Sequence, residues 1–337
     1  MSIPYRTRQS MGRFFTALLV ITVIFVIAAL CWLLWLDRFV VYTRDGAKLD
    51  FGVSMNMGGQ PAEKPVPGEP VDIYYADGPN AVKPNTSEFQ KLTGYSVSEA
   101  MLQGDIAALS RQIQLLPTGT PIMLDMKNIR GDFLYNTALG PISDKASVGD
   151  IEKMIAELRN KGYYLVARLP ALRDYWHGLN NVSHGLFNQD RYSLWMDADR
   201  CYWLDPTNEG TLTYLVQIVS ELRNLGFDEV VLYDFRFPDT DRIAFEGDRA
   251  EAIGHAASVL VKSCSSDTFA VSFGVSDSGF PLPEGRTRLF FQNVAAADAA
   301  SLAAQSGLDE ERLVFLTDLM DTRFDDYGVL RPLPSVG

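Results

Sequence analysis

The chain is short of the residues on which several common chemistries depend. It carries three cysteines and three histidines among 337 residues. Three cysteines cannot build a disulfide framework. Cys31 lies in an apolar segment, which leaves Cys201 and Cys264 either as one pair or as two unpaired, half-buried thiols. His177 and His184 fall close together, each followed by glycine, yet a metal site needs a third ligand at suitable spacing and none is evident. There is no glycine-rich phosphate loop, no Gly-x-Ser-x-Gly elbow and no Cys/His catalytic pattern. The expectation is no metal and no cofactor. Positive charge is also scarce, with 30 Lys and Arg against 42 Asp and Glu and a net charge of -12. Such a balance argues against nucleic acid as a partner, because phosphates would be repelled.

What is present begins with a long apolar run. Residues 1–13 are polar and carry Arg6, Arg8 and Arg13; residues 14–36 are uncharged and mostly Leu, Ile, Val, Phe and Ala. A helix crossing a bilayer core needs about 20 such residues. A cleavable signal has a shorter apolar region, and Trp32 to Trp35 continue where a cut would fall. The run therefore reads as an uncleaved transmembrane anchor. Arg38, Arg44 and Lys48 on the far side nearly cancel the charge bias that sets orientation. A single N-terminal anchor ahead of a large domain usually exports that domain, so the expectation is a tail at 1–13 inside and the bulk outside. Residues 37–70 read as a stalk and linker, with Pro61, Pro65, Pro67 and Pro70 crowding its second half.

From 71 to 337 the pattern becomes alternation. Residues 71–76 are a weak first strand, and the 40s stretch is another. Ser96-Val97-Ser98-Glu99 has the form of a capping box, predicting a helix to about 116. Strands follow at 121–127, 163–169, 229–235, 268–275, 287–292 and 312–319. Helices are predicted at 147–161, 208–225, 248–264 and 295–306. Strand and helix in turn imply a parallel sheet with right-handed crossovers. The fold class is α/β, a (β/α)8-type TIM barrel, with six good strands of the usual eight and hence an incomplete look.

One stretch organises the rest. Gly226 opens a short apolar run that ends in Tyr233-Asp234-Phe235-Arg236-Phe237-Pro238. Strand alternation places Leu232, Asp234 and Arg236 on one face and Tyr233, Phe235 and Phe237 on the other. Charge at the C-terminal end of an apolar parallel strand is where α/β barrels keep their chemistry. Asp125 and Lys127 likewise share a face, and Arg168 ends the next strand. Two carboxylates and three cations would then converge on the barrel mouth, either as a functional site or as an ion-pair plug.

The run Asp234-Phe235-Arg236-Phe237-Pro238 resembles the Asp-(Tyr/Phe)-x-Arg-Phe-Pro signature of a bacterial family of glycoside-hydrolase-like (β/α) barrels. Tyr202-Trp203-Leu204-Asp205-Pro206, Pro121-Ile122-Met123-Leu124-Asp125-Met126-Lys127, Leu165-Val166-Ala167-Arg168 and Asp174 resemble other stretches of that family, over roughly residues 118 to 240. The resemblance implies a glycosidase that acts on an envelope or extracellular polysaccharide. Glycoside hydrolysis uses two carboxyl groups, one as acid and one as nucleophile or base. Asp234 is the leading nucleophile or base and Asp125 its partner. Nearby Arg236 and Lys127 are expected to keep Asp234 ionised, and the same cations would make Asp125 a poor acid. Substrate contacts are expected from Arg236, Lys127, Arg168, Asp174, Trp176 and Trp203, since aromatic side chains stack on sugar faces. The aromatics of the long loop between the Arg168 and Asp234 strands also read as cover for its own small core. The chain departs from the family at Asn128-Ile129-Arg130-Gly131-Asp132, where relatives carry acidic residues, and at Val271-Ser272-Phe273-Gly274, where they carry a carboxylate. A catalytically silent barrel that binds glycan or a protein partner is therefore the competing expectation.

Overall fold

A computed structural model describes residues 40–43, 46–49, 89–276 and 278–334. The chain divides at residue 72 into two units. In the first, Val40–Thr43 and Gly46–Leu49 form an antiparallel pair. This pair is a sheet of its own and contributes no strand to the barrel, so the 40s stretch does not complete it. The apolar run at 14–36, the linker and the strand expected at 71–76 lie outside the described residues. Among the described residues no helix is long and apolar enough to cross a membrane.

The second unit is a closed barrel of eight parallel strands. They are β1 (Thr93–Val97), β2 (Pro121–Asp125), β3 (Tyr164–Pro170), β4 (Glu229–Tyr233), β5 (Ala270–Val275), β6 (Leu289–Gln292), β7 (Leu313–Leu316) and β8 (Gly328–Pro332). Each pairs with the next in sequence, and β8 closes the circle against β1 with Val329 opposite Thr93. The six anticipated strands are all present. The missing two are β1 and β8. Ser96 belongs to β1, and the capping residue is Ser98, whose side chain makes no cap hydrogen bond. The expected helix to 116 is two pieces, α1 (Glu99–Leu102) and α2 (Ile106–Ile113). Gly104 interrupts them, and Asp105 caps the second by accepting from the Ala108 amide at 2.9 Å.

Five more helices follow: α3 (Val148–Asn160), α4 (Tyr175–Asn180), α5 (Glu209–Leu225), α6 (Arg249–Cys264) and α7 (Ala299–Ser306). The long α5 shows how sequence sets its bounds. Asn208 accepts from the amides of Gly210 and Thr211, supplying the acceptor that a helix start needs. Gly226 ends it at φ 113°, a left-handed conformation natural to glycine. Leu215, Ile218, Val219 and Leu222 recur at helical spacing and are buried against the barrel. Burial of each such side chain contributes about 1.5–3 kcal/mol.

The barrel interior is layered, as inward side chains from neighbouring strands stack. Met123, Val166, Val231, Phe290, Val314 and Leu330 form an apolar middle layer. Beneath it lies a polar floor. Glu229 accepts hydrogen bonds from Arg288, from Tyr164 at 3.0 Å and from Ser272, and Arg288 also donates to the carbonyls of Gln90 and Glu311. Both partners of this ion pair are essentially fully buried. An ion-pair plug thus exists, at the floor. Above the middle layer, Arg168 and Gln292 face the mouth.

Candidate functional site

The mouth is built by the ends of β2, β3, β4 and β6 and by the segment after β3. Asp125 ends β2 and Arg168 stands opposite it on β3. The Arg168 guanidinium donates to Asp125 Oδ1 and to Gln292 Oε1, each at 3.1 Å, and lies 4.6 Å from the Tyr233 ring centroid. The second oxygen of Asp125 accepts from the Glu99 amide at 3.3 Å. Burial raises the Asp125 carboxyl above the ordinary carboxylate range; Arg168 pulls it down in part, and the Glu99 carboxylate pushes it back up.

Asp234 reaches the mouth by a route that alternation does not give. β4 ends at Tyr233, which faces inward over Arg168, while Leu232 packs outward into the helix layer. Simple alternation would send Asp234 outward with Leu232. Instead Asp234 adopts φ 50°, a left-handed conformation uncommon for a residue with a side chain. Such strain persists where surrounding structure enforces it and gathers at functional sites. After this turn Phe235 is buried against Phe273 and Phe280, and the Asp234 carboxylate lies 3.8 Å from Arg173 Nη1. Burial raises the Asp234 pKa; Arg173, Arg236 and Arg168, in that order, lower it incompletely. Of the two cations expected beside it, Lys127 is paired with Asp174, and desolvation outweighs the guanidiniums, so the Asp234 carboxyl is raised and not lowered.

Arg173 was not singled out from the sequence, yet it is the hub of this side of the mouth. Its Nε donates to Asp197 Oδ2 at 2.6 Å, and its guanidinium also pairs with Asp199. Asp197 in turn accepts from the Cys201 amide and from Trp203 Nε1, both at 2.9 Å. Despite burial, these three donors hold Asp197 below the usual carboxylate range. The only sequence signal for Arg173 was its place beside Asp174.

Lys127 and Asp174 are not in the mouth. β2 stops at Asp125, the Met126 amide bonds to the Arg168 carbonyl, and the chain turns to set Lys127 against Phe133. Lys127 Nζ lies 2.6 Å from Asp174 Oδ2, and both side chains have no exposure. Asp174 is completed by Tyr214 Oη and the His177 amide, each at 2.8 Å. The shared face expected for Asp125 and Lys127 fails because the strand is two residues shorter than read. Arg236 is exposed at the rim, with its guanidinium 5.2 Å from the Trp203 ring centroid. Trp203 itself is 3% exposed and lies beneath the loop. Trp176 is half-buried and donates to Asp132 at 3.2 Å. Tyr175 stacks on Tyr202 with centroids 5.4 Å apart, so most of these aromatics cover the loop's own core.

The two histidines pair with each other, His177 Nε2 to His184 Nδ1 at 3.0 Å, and His177 stacks on Tyr214. Burial pushes His177 down to about 4. Among the described residues no group of three or more potential ligands is placed to hold a metal ion. Cys201 and Cys264 are unpaired and buried, which decides between the two readings of the cysteines.

Fold and mouth together define an eight-stranded (β/α) barrel with two partly buried carboxyl groups at its strand ends. Residues 96–265, half of the 337-residue chain, match the family described as "Putative glycosyl hydrolase domain", and the chain belongs to that family. The match runs from β1 through α6 and includes Asp125, Arg168, Arg173 and Asp234. Among solved structures the chain is similar to an inactive variant of a GH20 exo-β-N-acetylglucosaminidase from Vibrio harveyi, at 8% identity and TM-score 0.51, covering 72% of this chain and 50% of that one. It spans half the length of that enzyme, and at such identity the likeness is one of fold. It is also similar to a hypothetical protein from Ruminiclostridium thermocellum (17% identity, TM-score 0.46, 53% of this chain and 96% of that one). A third is the glycoside hydrolase domain of PelA from Pseudomonas aeruginosa (12% identity, TM-score 0.44, 72% of this chain and 94% of that one). No curated protein matches the chain.

Proposed function

We propose that the barrel hydrolyses a glycosidic bond in an envelope or extracellular polysaccharide, with Asp125 as general acid and Asp234 as nucleophile or base. The observation that carries this reading is the placing of Asp125 and Asp234 at the ends of the two strands flanking that of Arg168, with the chain at Asp234 in a left-handed conformation. Asp125 has the single guanidinium of Arg168 against it and the Glu99 carboxylate beside it, which favours a retained proton. A retained proton is what the leaving oxygen requires. Asp234 is faced by three guanidinium groups that oppose the effect of burial, against one for Asp125, so of the two it is the better suited to attack the anomeric carbon or to draw a proton from water. Arg173, locked by Asp197, fixes where Asp234 points. The uncharged run at 14–36 supports a tether in the bilayer with the barrel on the outer side.

The test is turnover of purified chain on a panel of bacterial exopolysaccharides and cell-wall glycans, followed by product analysis. Asp234→Asn should reduce kcat by at least about 100-fold, the usual scale for losing a positioned acid or base. Glycan binding should survive. The Arg168–Asp125 pairing at 3.1 Å favours a second reading, a silent glycan-binding barrel whose carboxylates are neutralised in place. Binding by wild-type chain with no turnover on any glycan would select it.

A further inference from the structure

Asp125 is faced from three elements. Its charged and titratable neighbours are Arg168 on β3, Tyr233 at the end of β4 and Glu99 at the start of α1. Glu99 supplies the one carboxylate among them. Its amide donates to Asp125 Oδ2 at 3.3 Å, so the first turn of α1 brings the two acids together. Two carboxylates in one site oppose each other's ionisation. Glu99 is only half-buried, and a glutamate side chain beside another acid swings out to water unless it is tied.

Asn128 ties it. Asn128 Nδ2 donates to Glu99 Oε1 at 2.8 Å, and Gln103 Nε2 donates to the same oxygen at 2.8 Å. Asn128 Nδ2 also donates to Asp132 Oδ2 at 3.3 Å. On its other side, Asn128 Oδ1 accepts from the amides of Arg130 and Asp132, at 2.9 and 3.1 Å. Both hydrogens and both lone pairs of the side-chain amide are therefore used. The two backbone donors fix which way that amide points, since only its oxygen can face them. The residue type follows from the same count. An aspartate would keep the turn but set an acceptor against two carboxylates, and a serine has a single proton to give. Asp132 in turn accepts from Trp176 Nε1 at 3.2 Å, which anchors the clamp to α4.

We propose that Asn128 is a positioning residue for Asp125 and acts through Glu99: it holds the Glu99 carboxylate against Asp125, and that fixed negative neighbour keeps the Asp125 proton in place. The inference rests on the reading of Asp125 as general acid. Asn128 itself makes no hydrogen bond to Asp125 and touches no reacting atom. Its effect passes through one oxygen of Glu99, which makes the effect separable from the folding of the loop.

The experiment follows the carboxyl carbon resonance of Asp125 through a pH titration of full-length chain labelled at aspartate, the signal being identified by its loss in Asp125→Asn. Glu99→Gln keeps an acceptor oxygen for Gln103 and Asn128 and removes only the charge. It should lower the proton affinity of Asp125 by at least about threefold, a modest return for one nearby charge. Asn128→Ala frees Glu99 to turn away and should lower that affinity in the same direction. The double variant should go no further than Glu99→Gln alone, because both changes remove one and the same influence. Additive effects of the two changes, or an Asp125 titration that neither change moves, overturn the proposal. Where circular dichroism shows that alanine unsettles the loop, Asn128→Ser keeps an acceptor for the Asp132 amide and faces the same comparison. No substrate enters the titration. Its failure therefore overturns the positioning role alone, whereas failure of the turnover panel overturns the reading of Asp125 as the acid.

Discussion

Replacing Lys127 by methionine tests whether the sealed pair with Asp174 holds the loop layer to the barrel. Methionine keeps most of the lysine stem, so the packing against Phe133 and Tyr214 survives. What is lost is the ammonium 2.6 Å from a carboxylate with no exposure. Removing one partner of a buried pair costs about 3–5 kcal/mol, because the remaining charge stays desolvated. The donors from Tyr214 and the His177 amide survive the change and go on holding the carboxylate. The lower end, about 3 kcal/mol, is therefore expected. With a urea dependence of about 3 kcal/mol per molar, the midpoint should fall by about 1 M. Urea unfolding followed by tryptophan fluorescence and by circular dichroism gives the shift, provided the two probes coincide. Adding Asp174→Asn removes the stranded charge while keeping a good cap for α4, so the double variant should be more stable than Lys127→Met alone. A cost below about 1 kcal/mol for Lys127→Met, or a double variant less stable than the single, would refute the reasoning.

Three further outcomes are expected. Asp234 has a folded pKa raised above its unfolded value, so the protein loses stability as pH rises from about 4 through that folded pKa. Asp234→Asn escapes this loss and should be more stable than wild type at pH 7, with the gap closing towards pH 3; denaturant midpoints across pH read it. At φ 50°, Asp234→Gly should exceed Asp234→Ala in stability by about 1 kcal/mol, measured by the same unfolding, because only glycine meets no Cβ penalty there. Burial pushes the thiols of Cys201 and Cys264 up to about 12, so both should resist iodoacetamide at pH 8 in the native chain and react on unfolding, as peptide mass mapping would show.

Much of the fold was legible because its strands announce themselves. β2 to β7 are apolar runs set between helices with ordinary caps, and the Gly226 stop placed the start of β4 to the residue, although the strand ends two residues before the 235 that was read. β1 was hidden for a local reason. Thr-Gly-Tyr-Ser-Val is short, holds a glycine, and ends in a serine that also fits a helix-start pattern. Gly94 is there because a Cβ would fall 2.0 Å from the Pro121 carbonyl oxygen on the adjacent strand, a demand that only the closed sheet reveals. β8 ends in a proline close to the end of the sequence and reads as tail. At the site, Asp234 and Asp125 were visible as charges at strand ends. Lys127 was misplaced because alternation was carried two residues past the last strand residue. Arg173 and Gln292 were invisible because each matters only through a partner more than twenty residues away, which neither periodicity nor composition reports.

The Arg288–Glu229 floor has a consequence for traffic. A barrel filled by its apolar layer and closed below by the Arg288–Glu229 pair cannot be threaded, so on the proposed hydrolase reading a polymer drapes across a single opening and leaves by the way it came. On that reading cleaved ends and the next stretch of chain would compete for one doorway, and how fast the spent end lets go would govern the cycle.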